Sequence, residues 1–153
     1  MSVTIRRAYI EQGNADLESV AKLEAALNDE VLPIGSGLHE LNQLTDWLIL
    51  DKSLGKVRAV LLAEEEKFPK GHLIYLYLGE ENAFFLRSLY VVKDARGNGI
   101  GSKLLDCMIK DAKYNSIRDI YTVPGKVAES FYKNLGFQPR KDESGNRLFL
   151  PVV

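Results

Sequence analysis

The segment VVKDARGNGIGSKLL, residues 91–105, carries three glycines within five positions, and a run with helical periodicity follows them. The glycines are Gly97, Gly99 and Gly101. Glycine lets the backbone approach a ligand without a Cβ, and a helix start presents free N–H groups and the positive end of the helix dipole. The spacing therefore predicts an anion-binding loop, although the same glycines could simply turn the chain.

Two nucleotide-binding motifs fit this loop poorly. The P-loop requires GxxxxGK[ST], and the chain contains neither Gly-Lys-Ser nor Gly-Lys-Thr. The dinucleotide fingerprint requires GxGxxG, but the glycines run GxGxG, with Ser102 where the third glycine belongs. The next predicted strand ends in YTVP and lacks an acidic ribose ligand. A nucleotide-binding domain is therefore a weak hypothesis for this chain.

The elements before the loop include the strand that leads directly into it. A short apolar stretch from Val3 to Ile10 is typical of a strand. Asn14 offers an N-cap for a helix with apolar residues at helical spacing, and ELNQLTDWLILD shows a second such face. The runs KVRAVLLAEE, HLIYLYLG and AFFLRSLYVV are rich in β-branched and aromatic residues, and their short connections indicate antiparallel strands.

The elements after the loop return the chain to the sheet. GSKLLDCMIKDAKYN predicts a helix and IRDIYTVP a strand, so the last of the three runs and IRDIYTVP should be parallel or splayed neighbours. KVAESFYKNLG predicts a short helix ended by Gly136, and FQPRK with RLFLPVV a terminal hairpin. The predicted order is β-α-α-β-β-β-α-β-α-β-β, an α+β fold.

Composition narrows the class of protein. The 153 residues suffice for one domain, expected to span 1–153, and 46% hydrophobic and 27% charged residues are typical of a globular chain. A net charge of −1 with dispersed cations argues against nucleic acid as a partner. Cys107 is the only cysteine, which fits a reducing cytoplasm and excludes a cysteine-based metal site from this chain alone. No run approaches a membrane span, so no membrane partner is expected. No metal is expected either.

Two motifs together resemble the GNAT superfamily of N-acetyltransferases. Arg96, Gly99 and Gly101 follow an apolar strand and are similar to the family's acyl-CoA motif, [QR]xxGx[GA]. AESFYKNLGF, residues 128–137, resembles its second signature, and the predicted element order matches the GNAT fold from residue 3 onward. The resemblance implies an α/β/α sandwich with a mixed, mostly antiparallel sheet of about seven strands that splays after the fourth.

The resemblance implies a role for acetyl-CoA and for residues that would bind it. Backbone N–H groups of the loop would hold the coenzyme A pyrophosphate, namely those of Gly97, Asn98, Gly99, Ile100, Gly101 and Ser102. Leu89, Tyr90 and Val91 would bond the pantetheine arm, and the N–H near Val91 would polarise the thioester carbonyl. Arg96 would either pair with a phosphate or brace the loop against a carboxylate such as Asp94.

Tyr132 matches the tyrosine that in many family members protonates the departing thiolate of coenzyme A. A phenol with a reference pKa of about 10 stays protonated at neutral pH and can donate to a thiolate of reference pKa near 8.5. The alternative is a packed tyrosine on the face of Ala128 and Leu135.

The general base has no clear counterpart in this chain. Some family members carry a glutamate in the strand before the loop, where this sequence has Arg87 and Ser88. Gly125 also stands where an asparagine often contacts the cofactor. Candidate bases are Glu80, Glu81, Glu129, His39 and His72.

The implied activity is transfer of an acetyl group to a primary amine of a small molecule or peptide, by direct attack in a ternary complex. The segment LPIGSGLHE and the turns around Glu80 would bind the acceptor. A non-catalytic acyl-CoA-binding regulatory module is the rival hypothesis. Homodimers are common in the family, but the sequence shows no unambiguous interface stripe.

Overall fold

A computed structural model describes residues 2–31, 40–55, 57–125, 128–140 and 145–152. Within these ranges the strands are β1 (Val3–Arg7), β2 (Val57–Glu65), β3 (Phe68–Leu78), β4 (Ala83–Val91), β5 (Asp119–Thr122) and β6 (Leu148–Leu150). The helices are α1 (Ala15–Val31), α2 (Leu41–Ser53), α3 (Ile100–Tyr114) and α4 (Glu129–Asn134), with a 3-10 turn at Lys93–Ala95. No helix in the described ranges is long and apolar enough to cross a membrane.

The strands form one mixed sheet between two layers of helices. Strand order follows the sequence from β1 to β6, and every pairing is antiparallel except that of β4 with β5. Buried residues of α1 and α2 pack on one face of the sheet, and those of α3 and the α4 segment pack on the other. The predicted fold class is therefore confirmed, as is the parallel pairing across the glycine-loop crossover.

The predicted terminal hairpin contributes one strand fewer than expected. Gln138 forms only an isolated antiparallel bridge with Phe149, so the described residues contain six strands rather than about seven. Pro139 follows Gln138 directly and has no N–H with which to continue a ladder. Three residues of the predicted DESGN turn, 142–144, lie outside the described residues.

Over the segment in which they pair, β4 contains one residue more than β3. Ile74 lies opposite Ser88 and Tyr75 opposite Leu86, which leaves Arg87 as the extra residue of a β-bulge. Because side chains alternate between the two faces of a strand, one extra residue reverses the alternation beyond it. Arg87 itself is exposed and forms an ion pair with Asp51 of α2.

The bulge decides which β4 side chains reach each helical layer. Before it, Phe84 and Leu86 belong to the core beneath α3; after it, Leu89 belongs to the same core. Ser88 lies in between and is directed toward the α1 side, together with Tyr90, which packs in the α1 core. Without the extra residue Ser88 would continue the α3 face.

Strands β4 and β5 separate soon after they meet. Their parallel pairing covers only Ala83–Phe85 of β4 against Asp119–Tyr121 of β5. The buried hydroxyl of Thr122 then donates a hydrogen bond of 2.9 Å to the carbonyl oxygen of Leu86. Beyond this bond β4 continues to Val91 with β3 as its only strand partner in the described part of the chain. The expected splay of the sheet is therefore present.

We expect Thr122→Val to destabilise the protein by about 1 to 2 kcal/mol, because the buried Leu86 carbonyl loses its donor while side-chain volume is nearly kept. Urea unfolding followed by circular dichroism measures this change. Thr4→Val, at an exposed position of β1, is the matched control and should stay within about 0.5 kcal/mol of wild type. Equal losses in both variants would refute a special role for the Thr122 bond.

Candidate active site

The splay opens a cavity of about 490 Å³ between the end of α1, the end of β4, the glycine loop and α4. All but one of the sequence-predicted site residues line it: Leu89, Tyr90, Val91, Arg96, Gly97, Gly99, Ile100, Gly101, Ser102 and Tyr132. The remaining residue, Asn98, donates a hydrogen bond of 3.3 Å from its side-chain amide to the Ala95 carbonyl. This bond lies within the loop itself. The structure thus brings the two sequence motifs to one site.

The glycine loop has the backbone conformation of an anion site. Gly97 and Gly99 adopt φ values of +85° and +78°, in the left-handed region that favours glycine. Gly99 caps α3, whose first turn carries no acidic side chain. The free N–H groups of that turn and the positive end of the α3 dipole therefore face an opening with no competing carboxylate on the helix start.

Arg96 braces the loop instead of pointing freely into the cavity. Its guanidinium donates two 2.9 Å hydrogen bonds to the Glu30 carboxylate at the end of α1, and its Nε donates to the Val91 carbonyl at 2.8 Å. The Tyr90 ring lies 5.4 Å below the guanidinium, and its hydroxyl donates to Glu30 at 3.0 Å. Arg96 therefore braces the loop against a carboxylate, with Glu30 rather than Asp94 as its partner.

The Glu30 carboxylate is kept ionised by these contacts. Partial burial opposes its charge, but hydrogen bonds from Arg96 and Tyr90 and the charge of Arg96 outweigh that effect, so the pKa of Glu30 lies below its usual value. Burial, together with the bond to Glu30, raises the pKa of the Tyr90 hydroxyl.

The end of β4 presents an unpaired backbone edge to the cavity. The Val92 N–H donates to the Lys70 carbonyl of the β3 side at 2.9 Å. Since backbone groups alternate in direction along a strand, those of Val91 and Leu89 face away from β3, and those of Tyr90 face β3. The Val91 carbonyl already accepts a hydrogen bond from Arg96. The groups that remain available on this edge are the Leu89 and Val91 N–H groups, which are directed toward the cavity.

Tyr132 is fixed at the other side of the cavity by local backbone bonds. The helix α4 ends in a Schellman motif, in which the N–H groups of Gly136 and Phe137 donate to the carbonyls of Lys133 and Tyr132 at 3.0 and 3.1 Å. The Tyr132 ring packs edge-on against Phe137, with centroids 5.5 Å apart. The side chain is thereby held in one orientation at the splay.

The protonation state of Tyr132 suits a hydrogen-bond donor. Burial raises the pKa of its hydroxyl to about 12, with Thr122 acting in the opposite direction and the negative charge of Glu24 adding to the rise. A phenol with this pKa is protonated throughout the neutral range, so it can donate to the negative charge that develops on a departing thiolate.

A second, smaller cavity of about 240 Å³ continues from the first along β4. Its wall includes Arg87, Ser88 and Thr122 at the splay, and Leu27 and Tyr132 line both cavities. Tyr132 therefore lies where the two spaces meet. A molecule in the second cavity would approach the open edge of β4 from the side opposite the glycine loop.

Most of the sequence-predicted base candidates lie away from this junction. Glu80 is exposed in a turn, Glu81 accepts a 3.1 Å bond from Tyr121, and Glu129 pairs with Lys133 on the surface of α4. His39 lies outside the described residues. His72 is fully buried beside Glu24. Glu24 was not among the candidates predicted from the sequence.

Two residues near the site were not anticipated from sequence: Glu24 and Thr122. Glu24 carried a detectable signal, because it falls on the apolar stripe of α1 three positions after Ala21 and before Leu27. A carboxylate on a buried helical face is uncommon unless it is paired. Thr122 carried no signal, since threonines in strands are ordinary.

Comparisons with known proteins identify the family of the chain. The sequence profile of the acetyltransferase (GNAT) domain matches residues 56–139. No curated protein matches the chain. Because the profile covers more than half of the sequence, the chain belongs to the GNAT acetyltransferase family.

Several solved structures share the fold. The PaiA N-acetyltransferase of Thermoplasma acidophilum, solved with coenzyme A, is 21% identical, with a TM-score of 0.72 and 97% of each chain covered. A GNAT family acetyltransferase of Brucella melitensis, solved with acetyl-CoA, is 17% identical, with a TM-score of 0.67 and coverage of 98% of this chain and 96% of that one. The ribosomal-protein-alanine N-acetyltransferase of Brucella melitensis is 25% identical, with a TM-score of 0.65 and coverage of 95% and 96%.

We expect Glu30→Gln to lower the free energy of unfolding by about 0.5 to 1 kcal/mol at pH 7, because half-exposed ion pairs contribute little more. The folded-state pKa of Glu30 is depressed, so its contribution exists above the unfolded pKa and is lost as the pH falls through the folded value. The two proteins should therefore converge near pH 3 in urea unfolding.

Glu18→Gln provides the matched control, because Glu18 forms only an exposed pair with Lys22 on the same helix. Its effect should stay near 0.3 kcal/mol. A Glu30→Gln deficit that persists unchanged at pH 3 would show that packing, and not the Glu30 charge, is responsible.

Proposed function

We propose that the protein transfers the acetyl group of acetyl-CoA to a primary amine of a small molecule or peptide, by direct attack within a ternary complex. The observation that carries this proposal is the alignment, along one cavity, of an anion loop, an unpaired strand edge and a buried tyrosine. The amide-bearing pantetheine arm can add to the open edge of β4 as an extra strand would.

The loop and the strand edge each support a position for one part of the cofactor in this proposal. The pyrophosphate is held by N–H groups from Gly97 to Ser102 at the start of α3. The arm then runs along β4, where the Leu89 and Val91 N–H groups can bond to it. One of these donors also stabilises the oxyanion that forms when the thioester carbonyl is attacked.

The chemistry then requires one bond to form and one to break. The amine nitrogen attacks the carbonyl carbon, the C–N bond forms, and the C–S bond breaks with its electron pair leaving on sulfur. The Tyr132 hydroxyl donates its proton to the thiolate, and a proton from the attacking nitrogen restores the phenol. The product is an amide, with free coenzyme A thiol and one proton released per ammonium consumed.

The acceptor amine is assigned to the second cavity. This space joins the first at Tyr132 and offers the hydroxyls of Ser88 and Thr122 among apolar groups. A compact or extended alkyl chain ending in an amino group fits such a lining, with its nitrogen at the junction.

Purified protein incubated with acetyl-CoA and a panel of primary amines, including peptides with a free N-terminus, tests the proposal through release of free thiol. Amine-dependent release supports transfer. No release with any amine, combined with thermal stabilisation by coenzyme A, would instead favour the non-catalytic acyl-CoA-binding module.

We expect Tyr132→Phe to lower kcat by about a hundredfold, the usual scale for loss of a general acid, with little change in KM for acetyl-CoA. The phenylalanine keeps the packing on Phe137. Tyr114→Phe is the matched control, because Tyr114 is 90% exposed at the end of α3. Undiminished turnover in Tyr132→Phe would assign the tyrosine a packing role only.

We expect Gly99→Ala to weaken coenzyme A binding by about tenfold or more, the scale of one lost bond to a charged group. A Cβ at Gly99 meets nothing within 4 Å, so the change acts through strain at φ +78° and not through a clash. Isothermal titration with coenzyme A measures the loss.

Gly13→Ala is the matched control, since Gly13 has φ +82°, is equally unobstructed, and lies before α1. Both variants should lose similar stability, but only Gly99→Ala should lose affinity. Equal affinities would contradict the placement of coenzyme A on this loop.

A further inference from the structure

A carboxylate, an imidazole and a hydroxyl from three separate elements meet behind the second cavity. Glu24 of α1 lies with its Oε1 2.5 Å from Nε2 of His72 on β3, and the Ser88 hydroxyl oxygen of β4 lies 3.5 Å from the same nitrogen. His72 and Ser88 are 0% and 5% exposed. The Glu24 side chain is 12% exposed. Polar groups this deeply placed in an apolar layer call for an explanation beyond packing.

The contacts of Glu24 favour its ionised form. Burial opposes the charge of Glu24, but the hydrogen bond and electrostatic attraction of His72, a hydrogen bond from Ser88 and the charge of Arg87 outweigh it, so the pKa of Glu24 lies below its usual value. An ionised carboxylate only accepts, so Nε2 of His72 donates to it. Nδ1 of His72 is buried and has no hydrogen-bond partner within the described ranges.

Ser88 connects the carboxylate to the cavity. Of the three groups it is the one in the wall of the second cavity. A hydroxyl has one donor and two acceptor positions, so Ser88 can donate to Glu24 and still accept an N–H from a molecule in the cavity. This arrangement depends on the bulge at Arg87, because the extra residue is what turns Ser88 toward α1.

Charged and titratable groups from three neighbouring elements act on Glu24 or respond to it. His72 faces it from β3, and Arg87 acts on it from β4 but is already paired with Asp51 of α2. Tyr132 of α4 is near enough that the charge on Glu24 raises the pKa of its hydroxyl. The negative charge of Glu24 is therefore felt at the junction of the two cavities, where the acceptor nitrogen must arrive.

We propose that Ser88 and Glu24 receive the ammonium group of the acceptor and take its proton, with His72 positioning the carboxylate. The ammonium donates to the Ser88 oxygen while the Ser88 hydroxyl proton moves to Glu24. The nitrogen regains its lone pair, and Glu24 becomes a neutral carboxyl group that later releases the proton to solvent. This inference rests on the proposed acetyl transfer and supplies its missing base.

The first test compares Ser88→Ala and Glu24→Gln with wild type over a pH range, using the best amine from the panel. A lost proton acceptor should lower kcat by about a hundredfold at pH 7, and the deficit should shrink toward pH 10, where much of a primary amine with a reference pKa near 10.4 is already neutral. A merely structural defect would lower kcat equally at every pH and would overturn the proposal.

Matched controls and a folding check accompany both variants. Ser53→Ala and Glu18→Gln change the same residue types at exposed positions of α2 and α1 and should keep wild-type profiles. Unchanged coenzyme A affinity confirms that each variant retains the cofactor site. Should Glu24→Gln fail this check, Ser88→Ala alone decides the outcome, because it removes one oxygen and no charge.

The second test needs no turnover. Butylammonium and its neutral counterpart butanol are titrated into the coenzyme A complex, and the backbone amide signals of Arg87 and Ser88 are followed by NMR. Shifts with butylammonium alone that disappear in Ser88→Ala support the ammonium site, even if no amine is acetylated and the proposed function fails. Equal shifts with both probes, or none with either, would overturn the ammonium site whatever the enzyme acetylates.

Discussion

The separation of β4 from β5 is the constraint on which the rest of the site depends. Parallel pairing stops after Phe85, and the Thr122 hydroxyl closes the pairing with a bond to Leu86. A strand end without a neighbouring strand leaves backbone N–H and C=O groups unpaired. This costs free energy unless a ligand or solvent forms hydrogen bonds with them. Here the exposed backbone lies in a cavity flanked by a helix start and a buried tyrosine, where a ligand could meet it.

Electrostatics divides this surface into two ends of different character. At the loop, backbone N–H groups and the α3 dipole supply the positive potential, because Arg96 is already neutralised by Glu30. At the far end, the Glu24 carboxylate provides negative charge behind Ser88. An anionic cofactor and a cationic acceptor would therefore be drawn to opposite ends of one continuous space.

The sequence predicted much of the fold and the cofactor side of the site, because those features are local. The glycine spacing, the strand compositions and the Gly136 helix end each occupy a few neighbouring residues, and each corresponds to an observed element. The bulge could not be predicted, because AFFLRSLYVV is apolar on both faces of the strand. Such a sequence shows no change of pattern where the side chains reverse their alternation. The expected seventh strand was wrong because Pro139 limits the pairing to one bridge.

The proposed proton donor and the proposed proton acceptor differ in how far along the chain their supporting contacts extend. Tyr132 owes its orientation to a helix end whose bonds span only the residues from Tyr132 to Phe137. The Glu24–His72 contact joins residues 48 positions apart, and His72 meets Ser88 across 16. The donor is thus a product of local sequence, whereas the acceptor group exists only once α1, β3 and β4 have docked. Any loosening of α1 on the sheet would disperse the second group while leaving the first in place.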